Sequence, residues 1–388
     1  MRTALSCAED RLKRLLTVGH SYVVAQNRRL AHEMALEGAG EWDVTVAAPS
    51  RLRGDLRDIE LEPLPAEACA VAPLDVRLSG HPHVRFYGQA LRPLLRQPWD
   101  VVHCWEEPYV VAAAQIAWHV PAAARFVPAT FQNIAKHYPA PVAMLERRVM
   151  TRADGWIAFG ETVHETHRDR PGYASKPARV INPGVDITAF RPDPAARRAI
   201  RERLGWTAHE AVVGFTGRFV EEKGIGTLLD AFTRSAMPWN LLFVGGGVMQ
   251  TDIDRLRAGH PSRVRIVTGV PHDDVPAYVN AMDLLCAPSR TTPTWREQFG
   301  RMLIEAMACG VPVLASPSGE IPHVIGEAGI LVPENDPAAW AREIERLLSD
   351  RAVRGDLSAR SVERARSTFA WPVVARAHLD FFEELCAR

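Results

Sequence analysis

Two glutamates, Glu297 and Glu305, flank a Phe-Gly pair in WREQFGRMLIEAMACGVPV, the stretch from Trp295 to Val313. Paired carboxylates suggest acid–base hydrolysis, but their spacing argues otherwise. On one continuous helix they would stand about 12 Å apart along the axis, beyond the roughly 5 to 5.5 Å or 6.5 to 9.5 Å of hydrolytic pairs. The residues suit a different arrangement. GRMLIEAMACG is rich in helix formers, ends on Gly310 and is followed by Pro312. It should form a helix with Leu303, Ile304 and Met307 toward a sheet, and Arg301 and Glu305 one turn apart on another face. Glu297 then lies in the loop before it. The amides of Phe299, Gly300, Arg301 and Met302 fall among the unpaired donors of the first turn, where the helix dipole attracts an anion. TGRFVEEKGIG supplies cations for such an anion, Arg218 as a guanidinium fork and Lys223 as a point charge. Together the two stretches point to a diphosphate ligand.

Other candidate chemistry is thinner. VVHCWEEPY puts His103, Glu106 and Glu107 at the carboxyl end of a strand, where doubly wound sheets contact ligands, and marks them as acceptor-side contacts. The run Gly245 to Gly247 follows a strand but lacks GxGxxG spacing, so a tight turn is expected. His164, His167 and the HPH of His81 to His83 have no further ligand at diagnostic spacing and read as surface or loop residues. The six cysteines, Cys7, Cys69, Cys104, Cys286, Cys309 and Cys386, form no CxxC pair, which favours buried thiols in the cytoplasm over disulfides or zinc. A lone charged residue is usually solvated; the joint pattern of Arg218, Lys223, Glu297, Phe-Gly and Glu305 is what carries information.

The elements that must position these residues follow from length and patterning. A chain of 388 residues exceeds one ordinary core and suits two domains with a cleft between them. Its 46 basic and 46 acidic side chains cancel, so no nucleic-acid surface is indicated. RLLTVG, DVTVAAP, DVVHCW, ARFVPATF, GWIAFG and ARVINPG read as buried strands of a parallel sheet. A turn at Pro183-Gly184 and a charged helix follow. Alternation then resumes near residue 190 with AVVGFTGRF, WNLLFVGGG, VRIVTGV, DLLCAPS and PVLAS. Helical stretches such as GTLLDAFTRSA between these runs make each half a doubly wound α/β sheet rather than a barrel. The tail has apolar Val373, Val374, Ala377, Leu379, Phe381 and Phe382, as expected of a last helix packed on one face. Charges at Glu9, Asp10, Arg11, Lys13 and Arg14 stand where a signal peptide needs an apolar run, and no uncharged stretch is long enough to span a membrane. RFYGQALRPLLRQ, residues 85–97, mixes basic and apolar positions and could touch a membrane surface; Pro93 interrupts it, and a solvated face is the expectation.

GRFVEEKG, PSRTTPTWREQFGRMLIEAMACGVPV, VTGVPHDDVPAYVNAMDLLCAPS and VINPGVDITAFRPD resemble family 4 of the retaining GT-B glycosyltransferases, whose E-x7-E signature Glu297 and Glu305 match. The likeness is closest over the C-terminal half. It implies two Rossmann-like domains facing each other across a cleft: residues 1–189 on the acceptor side, 190–370 binding a nucleotide sugar, and a helix in 371–388 packing back on the first domain. It implies that Arg218 and Lys223 hold the donor diphosphate, that Glu305 binds the ribose, and that Glu297 faces the transferred sugar. The Phe299 and Gly300 amides would meet sugar hydroxyls, the Arg301 and Met302 amides would lie near phosphate, and Gly269 and Val270 would hold the base by main chain. No metal or other cofactor is implied. Where many relatives have a Gly-Gly turn, this chain has Gly19 before His20, with the Gly19 amide expected near the diphosphate. Where some place a histidine beside the donor sugar, this chain has Gln132, which cannot relay a proton at neutral pH; the leaving phosphate can accept the acceptor's proton instead. The implied activity is retaining transfer of a sugar to a hydroxyl of a glycan, lipid-linked or small-molecule acceptor in the cytoplasm, with His20, His103, Glu106 and Gln132 on the acceptor side. The alternative is a non-catalytic sugar-nucleotide-binding partner subunit, suggested by the altered first loop and Gln132. An NAD-dependent oxidoreductase is disfavoured for lack of the glycine fingerprint.

Overall fold

Helices cover both faces of a parallel sheet, so its central strands are buried on both sides and mostly apolar. The computed structural model describes residues 11–53 and 58–388; Cys7, Glu9 and Asp10 lie outside the described residues. The N-terminal sheet is built from β1 (Lys13–Val18), β2 (Trp42–Pro49), β3 (Ala70–Leu74), β4 (Val101–Cys104), β5 (Arg125–Thr130), β6 (Trp156–Ala158) and β7 (Ala178–Val180). They lie parallel in the order β7-β6-β5-β4-β1-β2-β3. The C-terminal sheet holds β8 (Val212–Arg218), β9 (Asn240–Gly246), β10 (Val264–Val267), β11 (Leu284–Ala287), β12 (Val313–Ala315) and β13 (Gly329–Leu331), again parallel, in the order β10-β9-β8-β11-β12-β13. Each order reverses once, between β1 and β4 and between β8 and β11. Those reversals open crevices at the carboxyl ends of the strands, where such sheets take ligands.

Four helices bear on function: α1 (Ala25–Glu37), α2 (Glu161–His167), α3 (Arg301–Ala308) and α4 (Trp371–Cys386). Helix α4 follows the C-terminal sheet in sequence but shares a core with the N-terminal one. Its Val374, Leu379, Phe382 and Leu385 bury against Leu30 and Met34 of α1 and Leu15, Val44 and Val127 of the sheet. Val373, expected on the packed face, is 40% exposed; the buried stripe runs instead through Trp371, Val374, Ala375 and His378, at the three- and four-residue steps of a helix. The chain crosses between the sheets twice, side by side. Val185 N donates to the Phe369 carbonyl at 2.7 Å, and Trp371 N to the Val185 carbonyl at 3.3 Å. A Cβ on Gly184 would lie 2.3 Å from the Trp371 ring, so only glycine permits this approach.

One local expectation holds and another fails. In residues 85–97 only Leu91–Leu95 is helical; Tyr87, Leu91 and Leu95 turn into the core while Arg92, Arg96 and Gln97 are exposed, the solvated face expected there. No helix among the described residues is long and apolar enough to cross one. His167 is not a surface residue: it is buried beside Trp156 and Tyr173, and burial pushes its imidazole down to about 4. The described cysteines are free thiols, four of them buried.

Candidate functional site

A cavity of about 490 Å³ opens where β8, β9 and β10 end against the start of α3. Its floor requires close backbone approach. A Cβ on Gly245 would lie 1.9 Å from the Gly217 carbonyl oxygen, and one on Gly247 would lie 2.5 Å from that of Phe219. The glycine run expected to be a plain turn is thus a packing contact, and Gly245 also lines the cavity. Arg218 ends β8 at the rim. Lys223 closes a short turn whose Gly224, at φ +69°, sits so near the Pro288 carbonyl that a Cβ would be 1.7 Å from its oxygen. That contact aims Lys223 inward, and its Nζ lies 2.5 Å from Glu297 Oε2. Ser289 Oγ donates to the same oxygen at 3.0 Å. Both members of the ion pair are nearly buried, at 12% and 7% side-chain exposure, so neither charge has bulk water to screen it.

Helix α3 starts beyond Glu297, which places that carboxylate in the preceding loop. Gly300 caps the helix at φ +81°, and Phe299 anchors the entry by packing on Phe159 and Phe369. Among the described residues the Phe299, Gly300, Arg301 and Met302 amides donate to no carbonyl or side chain, leaving a row of free donors. Arg301, Met302 and Glu305 line the cavity together with Gly269, Val270, Arg218 and Lys223. Burial lowers the pKa of Arg301, with Glu305 opposing. Such a constellation can hold an anion on cations and amides and hydroxyls on two carboxylates.

Sequence reasoning missed two residues here. His272 Nε2 reaches Glu305 Oε1 at 3.2 Å and Gln26 Nε2, from the other domain, at 2.7 Å. Thr216 lines the cavity with a buried hydroxyl that has no partner among the described residues. Thr216 lay in plain view in the run FTGRF, but nothing marks a strand-end threonine as polar-facing.

Across the cleft, several expected roles change. Gly19 was expected to offer its amide to a diphosphate; that amide donates to the Ala47 carbonyl at 3.3 Å, and a Cβ at this position would lie 2.9 Å from Trp105 Cβ. His103 is fully buried, bonded through Nδ1 to Thr17 Oγ1 at 2.9 Å and wedged among Trp105, His378 and Phe382, so it cannot touch an acceptor. Burial, with His378 adding to it, holds its imidazole well below the ordinary value. Glu106 is also buried and serves His20 rather than a ligand. It accepts the His20 amide at 2.8 Å, His20 Nδ1 at 2.5 Å and the Tyr87 hydroxyl at 2.5 Å. Burial raises its carboxyl, but the His20 charge and the His20 and Tyr87 hydrogen bonds outweigh it and leave the pKa below the ordinary value. No sequence signal links His20 to a residue 86 positions away. His20 itself faces a second cavity of about 260 Å³, walled by Trp105, Phe131, Phe159 and Trp371 and reached by Arg301. Gln132 lines a third, of about 220 Å³, but its amide group is committed, Nε2 to the Ile134 carbonyl at 2.6 Å and Oε1 to the Tyr138 hydroxyl. Glu107 shares that cavity, accepts from Thr130 Oγ1 and Phe131 N, and is raised to about 7 by burial. Among the described residues no three His, Cys, Asp or Glu side chains converge as a metal site.

Residues 210–350 match the family model described as glycosyl transferases group 1, and residues 25–189 the one described as glycosyltransferase family 4. The chain is 30% identical over 372 residues to a D-inositol 3-phosphate glycosyltransferase of Salinispora arenicola, spanning 87% of this chain and 77% of that one. A protein of the same name from Jonesia denitrificans is 31% identical over 321 residues, spanning 74% and 73%. Among solved structures, a sucrose-phosphate synthase from Thermosynechococcus elongatus superposes with a TM-score of 0.72 at 23% identity, over 97% of this chain and 99% of that one. Anabaena HepE in complex with UDP gives 0.73 at 19% identity, over 96% and 100%.

Proposed function

The chain belongs to the group 1, family 4 glycosyltransferases and has their GT-B architecture, and from that premise we propose that it moves a sugar from a nucleoside diphosphate to an acceptor hydroxyl with retention of configuration and without a metal. The observation that carries this reading is the buried contact between Lys223 and Glu297 beside a row of free amides. The diphosphate binds at Arg218, Lys223 and the start of α3, Glu305 takes the ribose hydroxyls, Gly269 and Val270 border the base, and Glu297 takes a hydroxyl of the sugar. As the bond from the anomeric carbon to the phosphate oxygen breaks, negative charge grows on that oxygen. Lys223 and Arg218 meet the charge without reorganising, which is the work a divalent cation does elsewhere. The acceptor oxygen bonds to the anomeric carbon from the same face, and its proton passes to the departing phosphate oxygen.

UDP-sugars are the first donors to test, because UDP occupies a structural neighbour. A phosphorylated polyol is the first acceptor, after the relatives' names. The free thiols agree with a cytoplasmic setting. In the test, the protein is mixed with nucleotide sugars and candidate acceptors, release of nucleoside diphosphate is followed, and the product's anomeric configuration is read by NMR with and without chelator. Glu297→Ala is expected to keep nucleotide binding and lose turnover by about 100-fold or more, the scale of one electrostatic group in a transition state. Near-normal turnover by that variant sinks the assignment of Glu297; an inverted product or loss of activity in chelator sinks the retaining or metal-free part.

A further inference from the structure

Glu320 sits in the turn after β12, on the C-terminal side of the cleft, yet among the described residues the donors to its carboxylate all come from the other domain. The Glu161 amide donates to Oε1 at 2.7 Å, and the Thr162 amide and hydroxyl donate to Oε2 at 2.8 and 2.5 Å. The side chain is buried, and among the described residues no cation pairs with it. The facing loop is shaped around it: a Cβ on Gly160 would lie 2.5 Å from Glu320 Cδ.

The backbone of the same residue supports Glu297. Glu320 N donates to the Glu297 carbonyl at 3.0 Å, and the second donor to that carbonyl is Asn133 Nδ2 of the N-terminal domain, at 2.8 Å. Gly319 is at φ +56°, and a Cβ there would lie 2.0 Å from the same oxygen, so the turn lies directly on the Glu297 backbone. The adjacent Arg296 reaches Thr166 Oγ1 at 3.3 Å, one turn along α2 from Thr162. The Glu297 loop and α2 are therefore tied at more than one point.

We infer that Glu320 is a positioning residue that couples approach of the two domains to the placement of Glu297, an inference that rests on reading Glu297 as the sugar-facing carboxylate. An unpaired carboxylate held by neutral donors exchanges its water for three hydrogen bonds when the domains meet and regains that water when they part. The contact can thus form and break with each turnover, and it holds Glu297 in register only while the cleft is closed.

The test uses Glu320→Gln, which keeps the shape and removes the charge and one acceptor, with Thr162→Ala and the double variant. In each, kcat, the Kd for UDP and the melting temperature are measured, together with the distance between spin labels at cysteines introduced for Met144 and Val248, exposed residues of the two domains. Glu320→Gln is expected to lower kcat about tenfold or more, leave the UDP Kd within about twofold and widen the distance distribution of the donor-bound protein. The double variant should be no worse than the worse single one, because both act through one contact. Additive losses, equal losses in kcat and UDP binding that track the melting temperature, or an unchanged kcat and distance would each overturn the inference. The distance needs no turnover, so failure of the Glu297 assignment alone would leave that readout standing.

Discussion

If Lys223 is the group that receives the diphosphate, Glu297 competes with the ligand for it, and removing that competitor should tighten nucleotide binding while abolishing transfer. The ammonium and carboxylate are 2.5 Å apart and nearly buried. A hydrogen bond to a charged group contributes about 1.5 to 3 kcal/mol net, which an incoming diphosphate must offset before it can recruit the ammonium. Glu297→Gln retains one acceptor oxygen and the contact to Ser289 but loses the charge, so roughly half of that cost disappears, about 1.1 kcal/mol or roughly sixfold in Kd. UDP without a sugar makes no use of Glu297, so nothing is lost on the other side. Titration calorimetry of UDP into wild type, Glu297→Gln, Lys223→Met and the double variant gives the four affinities. The expected order is Glu297→Gln tightest, then wild type, with both Lys223 variants weaker. Unchanged or weaker binding by Glu297→Gln refutes the competition. A double variant as tight as Glu297→Gln shows that some group other than Lys223 takes the diphosphate.

Two further predictions concern stability. Burial raises Glu107 to about 7. The folded state therefore binds its proton more tightly than the unfolded chain does, so its contribution is fully present below the unfolded value and is lost as pH rises through about 7. Glu107→Gln, which mimics the neutral acid, should stabilise the protein by up to about 3 kcal/mol at pH 8 and hardly at all at pH 4, read by urea denaturation at both values; equal effects at the two would contradict the assignment. Gly184→Ala places a methyl 2.3 Å from the Trp371 ring at the paired crossing and should cost about 1 to 3 kcal/mol by overpacking, seen as a lower melting temperature; an unchanged one would show that the crossing yields freely.

How much of this was legible in the sequence depended on where each residue sits. Strands β1, β2, β4 and β8 announce themselves because both faces are covered. β3 and β13 escape although the opposite edge strands, β7 and β10, were read: β3 contains Pro73 and buries only Leu74, and β13 is three residues long with none buried. The start of α3 could be read from Phe299-Gly300 and the Gly310-Val-Pro312 stop, because helix ends are encoded locally. Glu297, Lys223, Arg218 and Glu305 were read together and lie around one cavity wall or its rim, since each sits at an element's end whose direction the sheet topology sets. The N-terminal side was harder. VVHCWEEPY marks a strand end but not which way each side chain turns, so His103 went toward α4 and Glu106 toward His20. The Glu106–His20, Asn133–Glu297 and Glu320–Thr162 contacts join residues far apart in the chain, and no local pattern specifies them.

The return of α4 to the N-terminal sheet has a consequence for how the protein comes into being. The helix begins at Trp371, about 190 residues after the last strand of that sheet ends at Val180. At about 5 to 20 residues per second, a ribosome takes roughly 10 to 40 s to make that interval. For all of it the groove destined for Val374, Leu379, Phe382 and Leu385 stands open on the nascent chain, available to chaperones and to other unfinished copies. The N-terminal domain is thus first in order of synthesis and last to be completed.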